Sequence, residues 1–261
     1  MTNAIRIHQT GGPEQMRWEE VTVATPGPGQ ALLRQTAVGL NYIDVYHRTG
    51  LYPVPSLPSV LGLEAAGVVE AVGEGVTAVR PGQRVAYASP PIGAYAEARL
   101  MPADRLVAIP DGIDDVQAAG MMLQGMTAQY LLRRTYRVQP GDAFLVQAAA
   151  GGVGQILCQW GRHLGALVIG TVGSDEKAKI AREAGCEHVI VYSRENFAEK
   201  VREITGGAGV AVVYDGVGKS TFEGSLDSLA MLGMLVSYGN ASGPVPPFEP
   251  GILSQKGSLF F

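Results

Sequence analysis

The chain has 261 residues, of which 46% are apolar and 17% charged, with a net charge of -4. That length holds one large or two ordinary domains, and the apolar share supplies a sizeable core. The acidic balance argues against nucleic acid as the main partner. No apolar run approaches the ~18 residues that a membrane helix needs, and the opening MTNAIRIHQTGG lacks the apolar stretch of a secretory signal.

Short strand-like runs come first, at 5–9 (IRIHQ), 17–24 (RWEEVTVA), 30–40 (QALLRQTAVGL), 64–73 (EAAGVVEAVG), 83–88 (QRVAYA) and 94–101 (AYAEARLM). Pro and Gly punctuate them at short spacing. This rhythm predicts a β-rich, partly closed domain over residues 1–124. The segment AAGMMLQGMTAQYLL (118–132) then reads as a helix leading into a second domain, 125–261.

From there the rhythm changes. Continuous apolar runs lie at 144–149, 167–172, 188–192, 210–214 and 234–239, with helix-like segments between them at 153–164, 175–184, 195–205 and 218–230. Alternation of this kind predicts βαβ units and a doubly wound parallel sheet with both faces covered. The chain's closing run, SLFF (258–261), is apolar and suggests either a shortened chain or a last strand that completes something outside the monomer. Two cysteines, Cys158 and Cys186, form neither a disulfide framework nor a metal-spaced cluster, which suits a reducing, cytoplasmic setting.

The stretch AAAGGVG (148–154) joins the first of these runs to the first helix. Set on the G-x-G-x-x-G pattern, the three positions fall on Ala149, Gly151 and Gly154. A strand before it and a helix after it give the setting of a dinucleotide fingerprint. The second glycine lets backbone approach a pyrophosphate and the third allows close helix–strand packing. Backbone N–H groups near Gly152 and Val153 would aim the helix end at the anion. Ala149 stands at the most tolerant position, where a tight turn accepts alanine if φ stays negative. A tight turn with no dinucleotide is the plainer alternative.

NAD enzymes carry an acid about 20 residues further on, which holds the ribose 2′-hydroxyl. Here Gly173 stands nineteen residues after Gly154, in IGTVGSDEK. Ser174 offers a hydrogen bond and Lys177 a cation, which favours NADPH over NADH. Asp175 and Glu176 argue the other way, but they open the next helix and suit its first turn. Tyr192 ends the third strand, where its hydroxyl could reach a phosphate. Lys177 also reads as an ordinary solvated helix lysine.

The segments 141–162 (GDAFLVQAAAGGVGQILCQWGR), 38–53 (VGLNYIDVYHRTGLYP), 61–73 (LGLEAAGVVEAVG), 213–227 (VYDGVGKSTFEGSLD) and 237–244 (SYGNASGP) together resemble one family. It is the zinc-free NADPH:quinone oxidoreductases, the zeta-crystallin-like branch of the medium-chain dehydrogenase/reductases. The resemblance covers essentially the whole chain, which looks like a C-terminally shortened copy. It implies a GroES-like domain and a Rossmann domain, with a quinone held in the cleft between them. It also implies a homodimer formed through the edge of the Rossmann sheet. Asn41, Tyr42 and Tyr46 would lie at the nicotinamide end and Tyr130 beside the phosphates. Val217, and Tyr238, Gly239, Asn240 and Ala241, stand at strand carboxyl ends, where such sheets bind ligands.

Zinc-dependent relatives carry a cysteine near Asn41 and a histidine at Leu63. Zn²⁺ needs thiolate or imidazole ligands, and neither residue supplies one. A metal-free hydride transfer is therefore expected, resting on positioning and on donors aimed at the acceptor oxygen. The candidate donors are Asn41, Tyr46, Tyr52 and Thr127, although each tyrosine also reads as a packing residue. Two other readings share the cofactor: a reductase of α,β-unsaturated carbonyls and a non-catalytic NADPH-binding protein.

Overall fold

The chain divides into two compact units, Met1–Leu123 and Gln124–Phe261, and the computed structural model describes every residue of both. In the first unit, β1 (Thr2–Ile7) pairs antiparallel with β2 (Arg17–Val21). β3 (Gln30–Gly39) is followed by α1 (Tyr42–Thr49), β4 (Ser59–Val60) and β5 (Glu64–Val72). β6 (Arg84–Ala88), β7 (Ala98–Pro102) and β8 (Val107–Ala108) complete the strands. They form two antiparallel sheets, ordered β2-β1-β4 and β7-β3-β5-β6-β8. β3 buries Ala31 and Leu33 on one face and leaves Arg34 outside, the period-two pattern of a half-buried strand. Those residues pack with Val69, Val85, Tyr87 and Met101 in one core.

The run expected at 94–101 is a strand only from Ala98, because Ala96 pairs with Ala4 as a single bridge. α2 (Asp115–Tyr130) opens with Asp115, which accepts two hydrogen bonds from the Arg84 guanidinium at 2.8 and 2.6 Å. No helix is long and apolar enough to cross a membrane.

The second unit alternates strand and helix. Its elements are β9 (Ala143–Val146), α3 (Gly152–His163), β10 (Leu167–Val172), α4 (Asp175–Glu183) and β11 (His188–Val191). They continue with α5 (Phe197–Ile204), β12 (Val210–Asp215), α6 (Phe222–Asp227), β13 (Leu229–Ser237) and α7 (Gly251–Gln255). The sheet is wholly parallel, in the order β11-β10-β9-β12-β13. Phe144, Val146, Val168 and Tyr214 pack in one core, while Leu145, Ile169 and Val213 pack in another. Successive residues thus enter different layers, which is why these strands are continuously apolar.

Two details depart from the sequence pattern. The helix expected over 218–230 is confined to Phe222–Asp227. Gly218 takes φ +88° in a turn ahead of it, and β13 already begins at Leu229. β13 then bulges: Val210 pairs with Leu229 but Val212 with Met234, and Leu232 takes φ +60°. The bulge breaks the apolar run, so only 234–239 read as strand. A π-helical turn, Leu131–Thr135, also extends α2; the buried Tyr214 hydroxyl donates to the Leu131 carbonyl at 3.1 Å. In the closing run Leu259 is buried and Phe260 bridges to Met234.

Candidate cofactor and active site

Between β9 and α3 the backbone makes a tight turn. Ala148 adopts a left-handed φ of +56°, and the Gly151 N–H donates to the Ala148 carbonyl at 2.9 Å. Left-handed geometry thus falls on Ala148, one residue before the position where the fingerprint has its first glycine. Gly151 caps α3 with extended backbone, and no side chain caps the helix. The first-turn N–H groups of α3 therefore have no partner within the helix, the arrangement that receives an anion. Gly154 is required by space: a Cβ there would lie 2.4 Å from the Ala148 carbonyl oxygen.

A pocket of 410 Å³ opens at this turn, at the carboxyl ends of β9, β10 and β12. The order of strands reverses between β9 and β12, where open parallel sheets bind their ligands. Gly173, Lys177, Tyr192 and Val217 line the pocket, with Gln147, Ala148, Gly151, Thr171 and Thr221. Gly152 and Val153, expected at the anion, stand in the first turn of α3, but the pocket wall itself is Gly151.

At the end of β10 the predicted residues come together. A Cβ on Gly173 would lie 2.8 Å from the Tyr192 hydroxyl, so glycine gives that ring its place. Ser174 caps α4, its hydroxyl accepting the Lys177 N–H at 3.4 Å. Arg194 grips Asp175 with two hydrogen bonds, 2.8 and 2.7 Å, and holds its carboxyl below the usual carboxylate range. The Ser174 side chain likewise lowers Glu176. Of the two acids that argued against a 2′-phosphate, Asp175 is therefore engaged by a cation and Glu176 by the Ser174 side chain.

Tyr238, Gly239, Asn240 and Ala241 follow β13 and pack on the turn after β12. The Tyr238 N–H donates to the Asp215 carbonyl at 2.9 Å and the Ala241 N–H to the Gly216 carbonyl at 3.2 Å. A Cβ on Gly239 would lie 2.7 Å from the Gly216 oxygen. Sequence reasoning missed Gln147, Thr171, Thr221 and, above all, Asp215. The only signal for Asp215 is an acid closing an apolar strand just before Gly216 and Gly218.

The remaining candidates in the first unit gather around α1. Asn41 precedes that helix and is buried. Its backbone N–H donates to Asp44 Oδ2 at 3.0 Å and its side-chain Nδ2 to Glu64 Oε2 at 2.6 Å. Glu64 Oε1 accepts the Leu123 N–H at 2.8 Å, and the Tyr95 hydroxyl donates to Asp44 Oδ2 at 2.7 Å. Burial pushes both the Glu64 and Asp44 carboxyls up and pulls the His47 imidazole down. Asp44 Oδ1 and His47 Nδ1 have no hydrogen-bond partner.

The buried Tyr46 ring stands 5.3 Å from that of Tyr42 and 5.0 Å from that of Tyr52. Thr127 and Tyr130 lie in the last turns of α2, Thr127 half-buried and Tyr130 exposed. Burial of its ring nonetheless raises the Tyr130 hydroxyl. Leu63 is buried and apolar, and no three His, Cys, Asp or Glu side chains gather where they could hold a metal ion.

An antiparallel β unit, a parallel sheet with this strand order and a glycine turn at its switch point define the class: a medium-chain dehydrogenase/reductase. Residues 27–111 match the alcohol dehydrogenase GroES-like domain, and residues 152–259 match the zinc-binding dehydrogenase domain. The whole chain is 54% identical to a quinone oxidoreductase of Pseudomonas aeruginosa, of which it covers 80%. It is also 54% identical to a 2-haloacrylate reductase of Burkholderia sp, again covering 80% of that protein. The crystal structure of Escherichia coli quinone oxidoreductase complexed with NADPH superposes with a TM-score of 0.97 at 49% identity, over 99% of this chain and 79% of that one. The chain belongs to the quinone oxidoreductase family.

Proposed function

We propose that the chain is an NADPH-dependent quinone reductase. The observation that carries this reading is the end of β10, where Gly173, Lys177 and Tyr192 line the pocket, Ser174 caps the adjoining helix α4, and the nearby acid Asp175 is paired with Arg194. That wall suits a 2′-phosphate: Lys177 supplies the cation, and Ser174 and Tyr192 supply hydroxyls. The uncapped start of α3, at Gly152 and Val153, suits the pyrophosphate. Val217, the 238–241 loop, Tyr42, Tyr46 and Tyr130 are assigned to the rest of the cofactor. Bound NADPH supplies a hydride. Asn41, Tyr46, Tyr52 and Thr127 are assigned to orient the acceptor and to donate hydrogen bonds to its oxygen as negative charge develops there. The transfer is read as metal-free because Asn41 and Leu63 offer no thiolate or imidazole.

The 54% identity to a 2-haloacrylate reductase favours a second acceptor class, α,β-unsaturated carbonyls. A conjugated acceptor with a hydrogen-bonded oxygen needs the same groups. A homodimer across the β13 edge and a cytoplasmic setting belong to this reading. Exposed Met231 and Leu232 on that edge and two free cysteines support them. Steady-state NADPH oxidation with 1,4-benzoquinone, 9,10-phenanthrenequinone and 2-chloroacrylate tests the reading. Turnover on the quinones is expected, while NADPH binding without turnover on any acceptor overturns it. Light scattering reports the dimer.

A further inference from the structure

We infer that Asp215 is a positioning residue for the nucleotide pocket, fixing the turn after β12 directly and the glycine turn through Ser225, Gln147 and Thr171. The inference rests on the nucleotide reading of that pocket. Asp215 ends β12, is 2% exposed and does not line the pocket itself.

Its two carboxylate oxygens meet donors only. Oδ1 accepts the N–H groups of Val217 and Gly218 at 2.8 and 3.0 Å. Oδ2 accepts the hydroxyls of Thr221 and Ser225 at 2.7 and 2.8 Å. Two of these donors are backbone N–H groups and two are hydroxyls, so every bond in this ring runs toward Asp215.

That fixed direction is handed on. Ser225, having given its proton to Asp215, accepts from Gln147 Nε2 at 3.0 Å. The Gln147 amide is thereby oriented, and its Oε1 accepts the Thr171 hydroxyl at 2.5 Å. Thr171, its proton spent, turns a lone pair to the Ala148 N–H at 3.4 Å. Gln147, Thr171 and Ser225 are all buried, which strengthens these bonds. One carboxylate thus sets the proton order of a chain that ends on the left-handed residue of the glycine turn. Gln147, Ala148, Thr171, Val217 and Thr221 all line the pocket.

An amide at position 215 brings two protons where the ring has none to place. The Ser225 hydroxyl must then reverse, and Gln147 and Thr171 must reverse with it. Pocket walls on two strands would shift together, without loss of any residue that touches the nucleotide from Asp215 itself.

The test uses the full chain. KM for NADPH and for 1,4-benzoquinone, NADPH dissociation by fluorescence titration, and Tm are measured for wild type, Asp215→Asn, Ser225→Ala, Thr171→Val and the Asp215→Asn/Thr171→Val pair. Each single variant is expected to raise KM and Kd for NADPH roughly five- to tenfold, the size of one buried hydrogen bond. KM for the quinone should change less than about twofold. The pair should cost clearly less than the product of the singles, because the second change cuts a chain already reversed.

Equal rises in both KM values, additive effects, or an unchanged NADPH Kd in folded variants with a lowered Tm would each overturn the inference. If Asp215→Asn does not fold, the Ser225→Ala/Thr171→Val pair decides by the same criterion. Failure of the wild type to bind NADPH overturns the nucleotide reading instead, so the two failures are distinguishable.

Discussion

Asn41 donates its side-chain amide to the fully buried carboxyl of Glu64 at 2.6 Å, and Glu64 in turn receives the Leu123 N–H with its other oxygen. A residue proposed to face the acceptor is thus oriented from behind by a carboxyl that no solvent reaches. Asn41→Ala strands one oxygen of that carboxyl. It should lower the unfolding free energy by about 1–3 kcal/mol, the cost of a buried acceptor left without a donor. Urea denaturation measures this. Asn41→Asp sets a second carboxylate against Glu64 and should cost more. If Asn41→Ala is as stable as wild type, Glu64 is not holding it.

Glu64 also predicts a pH dependence. Burial raises its carboxyl above the ordinary 4.5, and the same holds for Asp44 above 3.8. The folded state therefore binds these protons more tightly than the unfolded chain. Their contribution is complete below the ordinary values and is lost as pH rises through the raised ones. The groups facing this site are Asp44, His47 and Tyr95. His47, lowered by burial, works in the opposite sense nearer its ordinary 6.5. Unfolding free energy measured from pH 4.5 upward should fall less steeply in Glu64→Gln than in wild type. Parallel profiles would remove Glu64 from the explanation.

Lys177→Ala should weaken NADPH by more than about tenfold, as loss of a charge-assisted contact does. NADH should change little. Titration of both cofactors against the variant decides the point, and equal loss for both would show that Lys177 meets no 2′-phosphate.

Gly154→Ala drives a methyl to 2.4 Å from the Ala148 carbonyl oxygen, a backbone atom that cannot swing aside. The expected loss is about 1–3 kcal/mol of stability, together with weaker cofactor binding, because the displaced atoms belong to the glycine turn. At Gly152 the nearest atom to a new Cβ is Gln124 Cγ at 3.1 Å, part of a flexible side chain. Gly152→Ala should therefore be the milder variant. A thermal melt of the two proteins compares them.

Much of this was legible because it is local. The change from short punctuated runs to apolar runs alternating with helices marks the two halves. Glycine spacing between one strand and one helix marks the tight turn at Ala148–Gly151, and the short stretch after β10 places Gly173 against Tyr192 and Ser174 at the cap of α4. What escaped depends on distant residues. Ser225 and Gln147 are 78 positions apart, and Thr171 and Gln147 are 24 apart. No periodicity announces that they share protons. The bulge in β13 hid the first half of that strand, since residues skipped by the pairing need not keep its alternation. The helix expected from 218 starts only at Phe222 because Gly218 takes φ +88°, outside helical geometry.

Ala148 carries a further consequence. An L-residue at φ +56° costs about 1–2 kcal/mol. Glycine would remove that cost, but it would add about 0.5–1 kcal/mol of chain freedom to the unfolded state. The two nearly cancel, so exchange between alanine and glycine at this position is close to neutral. Stability therefore sets no demand for glycine at the left-handed residue that precedes Ala149.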